Sequence, residues 1–87
     1  MNKNKILSKE TQDSLYPKDA FSLLVEGNNR YMDSRSEGID ISSLRNDSVN
    51  GQNPHSIVLS CIDSRVVVEQ VFDQALGDIF VARVAGN

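Results

Sequence analysis

Residues 56–87, SIVLSCIDSRVVVEQVFDQALGDIFVARVAGN, decide the fold. Ile57 to Cys61 is a short apolar run with β-branched residues behind a turn signal, the pattern of a buried strand. Val68, Val71, Phe72, Ala75 and Leu76 recur at i, i+3, i+4, i+7 and i+8, with Glu69, Gln70, Asp73 and Gln74 opposite them, which predicts a helix with one buried stripe. Gly77 suits the position that ends it. Asp78 to Ala85 is a second continuous apolar run, the composition of a strand covered on both faces. Sixteen residues separate Cys61 from Asp78, room for a helical crossover, so the strands are expected to be parallel with a right-handed connection. The fold class is α/β: N-terminal helices followed by a parallel β-α-β unit.

The first strand ends in Cys61-Ile62-Asp63-Ser64-Arg65. If that segment stays extended, Cys61, Asp63 and Arg65 share a face, bringing a soft ligand, an acid and a fixed cation together. The carboxyl end of a parallel strand, just before a helix, is where open α/β sheets hold ligands. A thiolate favoured by such surroundings is a nucleophile or a metal ligand. Cys61 reads equally as a small buried hydrophobe, and Asp63 and Arg65 as a surface ion pair or a helix cap with a solvated neighbour. Ser64 suits a cap better than a nucleophile. A phosphatase-type loop needs more backbone between Cys and Arg than three residues, and Asp63 would repel the phosphate. Cys61 and a carboxylate supply two positions of a tetrahedral zinc site. His55, six residues earlier in a turn, is expected to face solvent, and Arg83 to bind an anion or an acid across the sheet.

Upstream, residues 1–14 are polar and without period and read as an arm outside the core. Pro17 opens a helix within a helical segment, 15–34. Phe21, Leu24, Val25, Asn28 and Met32 form its expected apolar face, and Gly27-Asn28-Asn29 a weak point. Phe21, Tyr31 and Met32 read as core and helix-packing residues. Residues 35–55, rich in Ser, Asn, Asp and Gly, read as a connection with a helical turn near 42–46 and Ile39, Ile41, Leu44 and Val49 as anchors. Gly51 and Pro54 mark a turn before the first strand.

The chain has 87 residues, a formal charge of -3 and one cysteine. That length makes one small domain with a thin core. The charge, without a basic cluster, argues against nucleic-acid or anionic-membrane partners. One cysteine excludes an intrachain disulfide, the N-terminus has no signal-type apolar region and no run is long enough to span a membrane, so a cytoplasmic location is expected.

These residues resemble the β-class carbonic anhydrases. The resemblance rests on Cys61-Ile62-Asp63-Ser64-Arg65-Val66, on Gly77-Asp78-Ile79-Phe80-Val81 and on Arg83-Val84-Ala85-Gly86-Asn87. Leu24-Val25-Glu26-Gly27-Asn28-Asn29-Arg30-Tyr31 looks like the family's N-terminal helix signature, and Gln52 with Pro54 like its active-site glutamine segment. The resemblance implies a Zn2+ site with Cys61 as one thiolate ligand, inside a larger sheet of the family type. Asp63, paired with Arg65, would accept a hydrogen bond from the attacking hydroxide, or bind the metal in a closed, inactive state. Gln52 and Phe80 match positions lining a cleft for carbon dioxide and bicarbonate, formed in the family at a dimer interface, so a homo-oligomer is implied for the complete form. The family's remaining protein ligands, spaced His-x-x-Cys, lie downstream of the residues seen here, and His55 does not match them by order or spacing. Val68 stands where a proline is common, and Val58 where one subgroup has the Trp of an inhibitory bicarbonate site. The chain is therefore expected to be an N-terminal fragment with an incomplete ligand set, little activity alone and an uncovered sheet face. A docking module for a full-length homologue, a relative acting on another small substrate such as carbon disulfide, and a thiol enzyme are the rival expectations.

Overall fold

Strands β1 (Ser56–Cys61) and β2 (Ile79–Val84) lie side by side and parallel in the computed structural model, with Ser56 opposite Ile79 and Cys61 opposite Val84. The structure describes residues 6–38, 41–62 and 65–86. Helices precede the pair, so the fold is α/β with a parallel two-stranded sheet. Alternation puts Ile57, Leu59 and Cys61 on one face with Phe80, Ala82 and Val84. Ser56, Val58, Ser60, Ile79, Val81 and Arg83 occupy the other. Ile79 is buried on that second face, whereas Ile57 and Leu59 are 70% and 69% exposed on the first. Both strands have the composition for cover on two faces, but the described residues cover only one.

The connection differs from the expected long helix. Helix α4 is a single turn, Val68–Val71. It closes at Asp73, whose φ is 47°, and the Gln74 N–H donates to Glu69 O at 2.8 Å across the end. That is the six-to-one bond of a left-handed helix stop, made with Asp where Gly is usual. The periodic Ala75 and Leu76 therefore lie beyond the helix, and Ala75 is buried from a turn. Gly77 serves that turn instead: its φ is 87°, the Asp78 N–H donates to Ala75 O at 3.1 Å, and the Asp78 carboxylate accepts from the Ala75 N–H at 2.9 Å.

Helix α1 (Lys9–Ser14) occupies part of the expected arm, capped by Ser8 Oγ accepting from the Thr11 N–H. Leu7 just before it is buried. Asn53 donates to Leu7 O at 3.3 Å and the Gln12 amide to Pro54 O at 2.7 Å, so this segment is bound to the approach to β1. The arm reading fails from Leu7 onward because these bonds are made 42 and 46 residues away in sequence, beyond any local pattern.

Helix α2 runs unbroken over Pro17–Met32, with Pro17 in the first turn and Asp19 accepting from the Tyr16 N–H. Its inward stripe is centred on Ala20 and Gly27, with Leu23, Leu24 and Asn28 half-buried beside them. Phe21 and Met32 are 68% and 71% exposed, and Tyr31 is exposed as well, so the expected face is rotated by about one residue. Apolar size misled there, because the face that packs is the one that allows close approach. Helix α3 (Ile41–Asp47) and a 3-10 turn (Ser48–Asn50) fill the connection. Leu44 on α3 is fully buried and joins Leu7, Ala20, Val68, Ala75 and Ile79 in the small core, while Val49 is exposed. The expected anchor Ile39 lies outside the described residues.

Candidate functional site

Backbone contact between α2 and the segment after α4 sets the scaffold. A Cβ placed on Gly27 would come within 1.6 Å of Phe72 O, so only glycine allows this approach. One position on, the Asn28 side-chain amide donates to Val71 O at 2.9 Å. Arg30 then grips Asp73, Nε to Oδ2 at 2.5 Å and a terminal nitrogen to Asp73 O at 3.3 Å. Asp73 also accepts from the Glu37 N–H, at 3.2 Å through Oδ2. Gly27-Asn28-x-Arg30 is thus one docking surface for residues 71–73, and the guanidinium supports the strained Asp73.

A second polar chain carries this order to β1. The buried Gln74 donates through Nε2 to Leu23 O (3.2 Å) and Phe72 O (2.9 Å). Two carbonyl acceptors assign the amide nitrogen to that side, so Oε1 faces His55 Nε2 at 3.0 Å. His55 Nε2 must therefore carry a proton and donate. In the neutral ring Nδ1 accepts from Ser56 Oγ at 2.8 Å. His55 is half-buried with both nitrogens engaged, not a solvent-facing turn residue, and its N–H donates to Asp78 O at 2.7 Å.

Cys61, the single cysteine of the chain, closes β1 and is half-buried. The strand stops there and Ile62 begins a turn, so strand alternation does not run on through Arg65. Arg65 is exposed on the far side of the turn; Asp63 and Ser64 lie outside the described residues. Helix α4 starts seven residues past Cys61 with Val67 at its N-cap position. Strand β2 holds Cys61 from several sides. Arg83 donates to Cys61 O and to Val66 O, both at 3.0 Å. The Ile62 N–H donates to Val84 O at 2.8 Å, and a Cβ on Gly86 would sit 3.1 Å from Cys61 Sγ. Among the described residues, Arg83 thus bonds backbone carbonyls rather than an acid across the sheet.

Phe80 lies on the same sheet face as Cys61, opposite Ile57 in the ladder, and is exposed. Gln52 is exposed in the approach to β1, its Cβ 3.7 Å from where a Gly77 Cβ would stand. The sheet thus places Phe80 and Cys61 on one open face, with Gln52 near the other end of the strands. Cys61 is a soft donor with room beside glycine, which suits zinc. Among the described residues, however, no group of three His, Cys, Asp or Glu side chains gathers closely enough to hold a metal ion. The donor chemistry fits while the described set is incomplete. No helix among the described residues is long and apolar enough to cross a membrane.

The carbonic anhydrase family model matches residues 56–87, the span from the start of β1 through both motif-bearing segments. Carbonic anhydrase 2 of Mycobacterium tuberculosis (strain CDC 1551 / Oshkosh) is 41% identical over 75 residues, 82% of this chain and 35% of the relative. Residues 56–87 belong to the carbonic anhydrase family. The carbonic anhydrase of Mycolicibacterium smegmatis (strain ATCC 700084 / mc(2)155) is 40% identical over the same length, with the same coverage. The chain spans about a third of the length of these curated relatives. Within the family frame each sequence motif acquires a physical task in this structure. The Gly-Asn-x-Arg part of the helix signature docks α2, Gly77-Asp78 makes the turn into β2, and Arg83 with Gly86 shapes the surroundings of Cys61. Sequence reasoning did not find Asp73, Gln74 or the working role of His55. Their signal was present as polar side chains within an apolar pattern, but their partners lie 19 to 51 residues away.

Proposed function

We propose that this chain carries the N-terminal half of a zinc-dependent carbonic anhydrase site, for reversible hydration of carbon dioxide to bicarbonate. The family match, with a cysteine at the end of a parallel strand and Arg65 across the adjoining turn, carries this reading. Cys61 would hold the metal as a thiolate, with Asp63 as a second, conditional ligand. Bound zinc supplies a Lewis acid that makes hydroxide available near neutral pH. Arg65 would pair with the Asp63 carboxylate, since a neighbouring cation favours the charged form. Asp63 would in turn accept a hydrogen bond from the attacking hydroxide and orient it. Phe80 and Gln52, toward the other end of the strands from Cys61, would line a cleft for carbon dioxide and bicarbonate only across a dimer interface, as the family resemblance implies. With two candidate donors the 87-residue chain holds zinc weakly and hydrates carbon dioxide little or not at all.

Stopped-flow carbon dioxide hydration with added zinc tests the activity statement; a robust zinc-dependent rate from this chain overturns it. Cobalt titration tests the ligand statement. A thiolate-to-cobalt absorption band that disappears in Cys61→Ser supports Cys61 as a ligand, and its absence from the wild-type chain rejects it.

The open sheet face favours a second reading, in which the chain docks on a full-length homologue. Ile57 and Leu59 on β1 and Phe21 on α2 present large apolar side chains to solvent, surface that a partner subunit would bury. Co-expression with a complete homologue, followed by sedimentation analysis, separates the readings: a chain that remains monomeric beside that partner rejects docking.

A further inference from the structure

We infer that Arg83 is a positioning residue that holds together the two ends of the loop following Cys61. Its terminal nitrogens, the two tips of one planar fork, donate to Cys61 O and Val66 O at 3.0 Å each. Those carbonyls flank the turn that brings in Arg65. Strand β2 thus fixes where the loop leaves β1 and where it returns toward α4. Arg83 stands opposite Ser60 in the ladder, on the sheet face away from the Cys61 side chain. The guanidinium therefore acts on the backbone of the strand end. Val84 at the end of β2 and Gly86 just beyond it complete the grip, through the Ile62 N–H bond to Val84 O and the close pass of Gly86 beside Cys61 Sγ.

A fork of two donors at fixed separation sets a distance between its acceptors, which a single ammonium does not do. Loops without such ties open locally at low free-energy cost, and a catalytic acid or cation on an untied loop wanders from its working geometry. The inference rests on the proposed zinc site only for its chemical consequence; the tie itself concerns the backbone and is tested separately.

Amide hydrogen exchange on the 87-residue chain, resolved by residue, reads the tie directly. In Arg83→Met, exchange at Ile62 and Val66 is expected to quicken about tenfold, while Val58 and Leu59 within β1 change less than about twofold. Arg83→Lys retains charge and stem, guards against a variant that fails to fold, and is expected to resemble Arg83→Met. Unchanged protection at Ile62 and Val66, equal loss across the whole sheet, or full recovery in Arg83→Lys each overturns the inference. A parallel cobalt titration keeps the two questions apart: if the wild-type chain shows no thiolate band, the zinc reading fails while exchange still decides the part played by Arg83.

Discussion

Gly27 and Phe72 meet backbone to backbone, so closely that the hydrogen of Gly27 occupies a place where a methyl group would lie 1.6 Å from the Phe72 carbonyl oxygen. Neither helix nor turn can yield cheaply, since Asn28 and Arg30 bind the flanking positions on the same segment.

Gly27→Ala is accordingly expected to destabilise the chain by about 3 kcal/mol or more, despite the better helix propensity of alanine. Gly38→Ala supplies the control, because a Cβ there meets nothing within 4 Å; its stability should stay within about 1 kcal/mol of wild type. Urea denaturation followed by circular dichroism distinguishes them.

Arg30→Met should cost about 2–4 kcal/mol, since it strands the buried Asp73 carboxylate in a left-handed conformation with its main charged partner gone. Asp73 is 4% exposed and Arg30 26%, so water replaces the lost bond only from one side. A double-mutant cycle with Asp73→Asn is expected to show a coupling energy of about 1–3 kcal/mol, measured by the same unfolding curves.

Gln74→Leu leaves Leu23 O and Phe72 O without this donor and should destabilise by about 1–3 kcal/mol. Gln74→Glu should cost more, because a carboxylate would face the same two carbonyl oxygens. Nitrogen-15 chemical shifts of the His55 ring in the neutral form should report a proton on Nε2, as the bond to Gln74 Oε1 requires. A ring protonated on Nδ1 alone would refute that assignment.

Leu59→Glu changes the formal charge from -3 to -4 and replaces an apolar side chain that is mostly in solvent. Stability should move by less than about 0.5 kcal/mol. Self-association, followed by light scattering across a concentration series, should fall, because a charge on an exposed strand blocks edge pairing and breaks up the apolar face.

The sheet was legible because Ile57 to Cys61 and Asp78 to Ala85 carry their own strand composition, with a spacing that admits only a crossover. The sulfur at the strand end was legible for the same reason. What escaped was set by tertiary partners. Asp73 ends α4 in a conformation that a local reading assigns to glycine, and it does so because Arg30 supports it from 43 residues away. Phe21 and Met32 looked like core by size, yet the helix face turned inward is the one where Gly27 lets backbone meet backbone. Leu7 sat in a polar arm, and only Asn53 and Gln12 reveal it as part of the core.

The docking of α2 on residues 71–74 also orders events during synthesis. A helix of 16 residues is marginal in water by itself, and the groups that secure this one are encoded 43 positions later. At about 5–20 residues per second, α2 waits about 2–9 s after leaving the peptidyl-transferase centre for its partners to be made. Throughout that interval Ala20, Leu23 and Leu24 belong to a nascent chain with no core to join, so the N-terminal third depends on late translation for its shape.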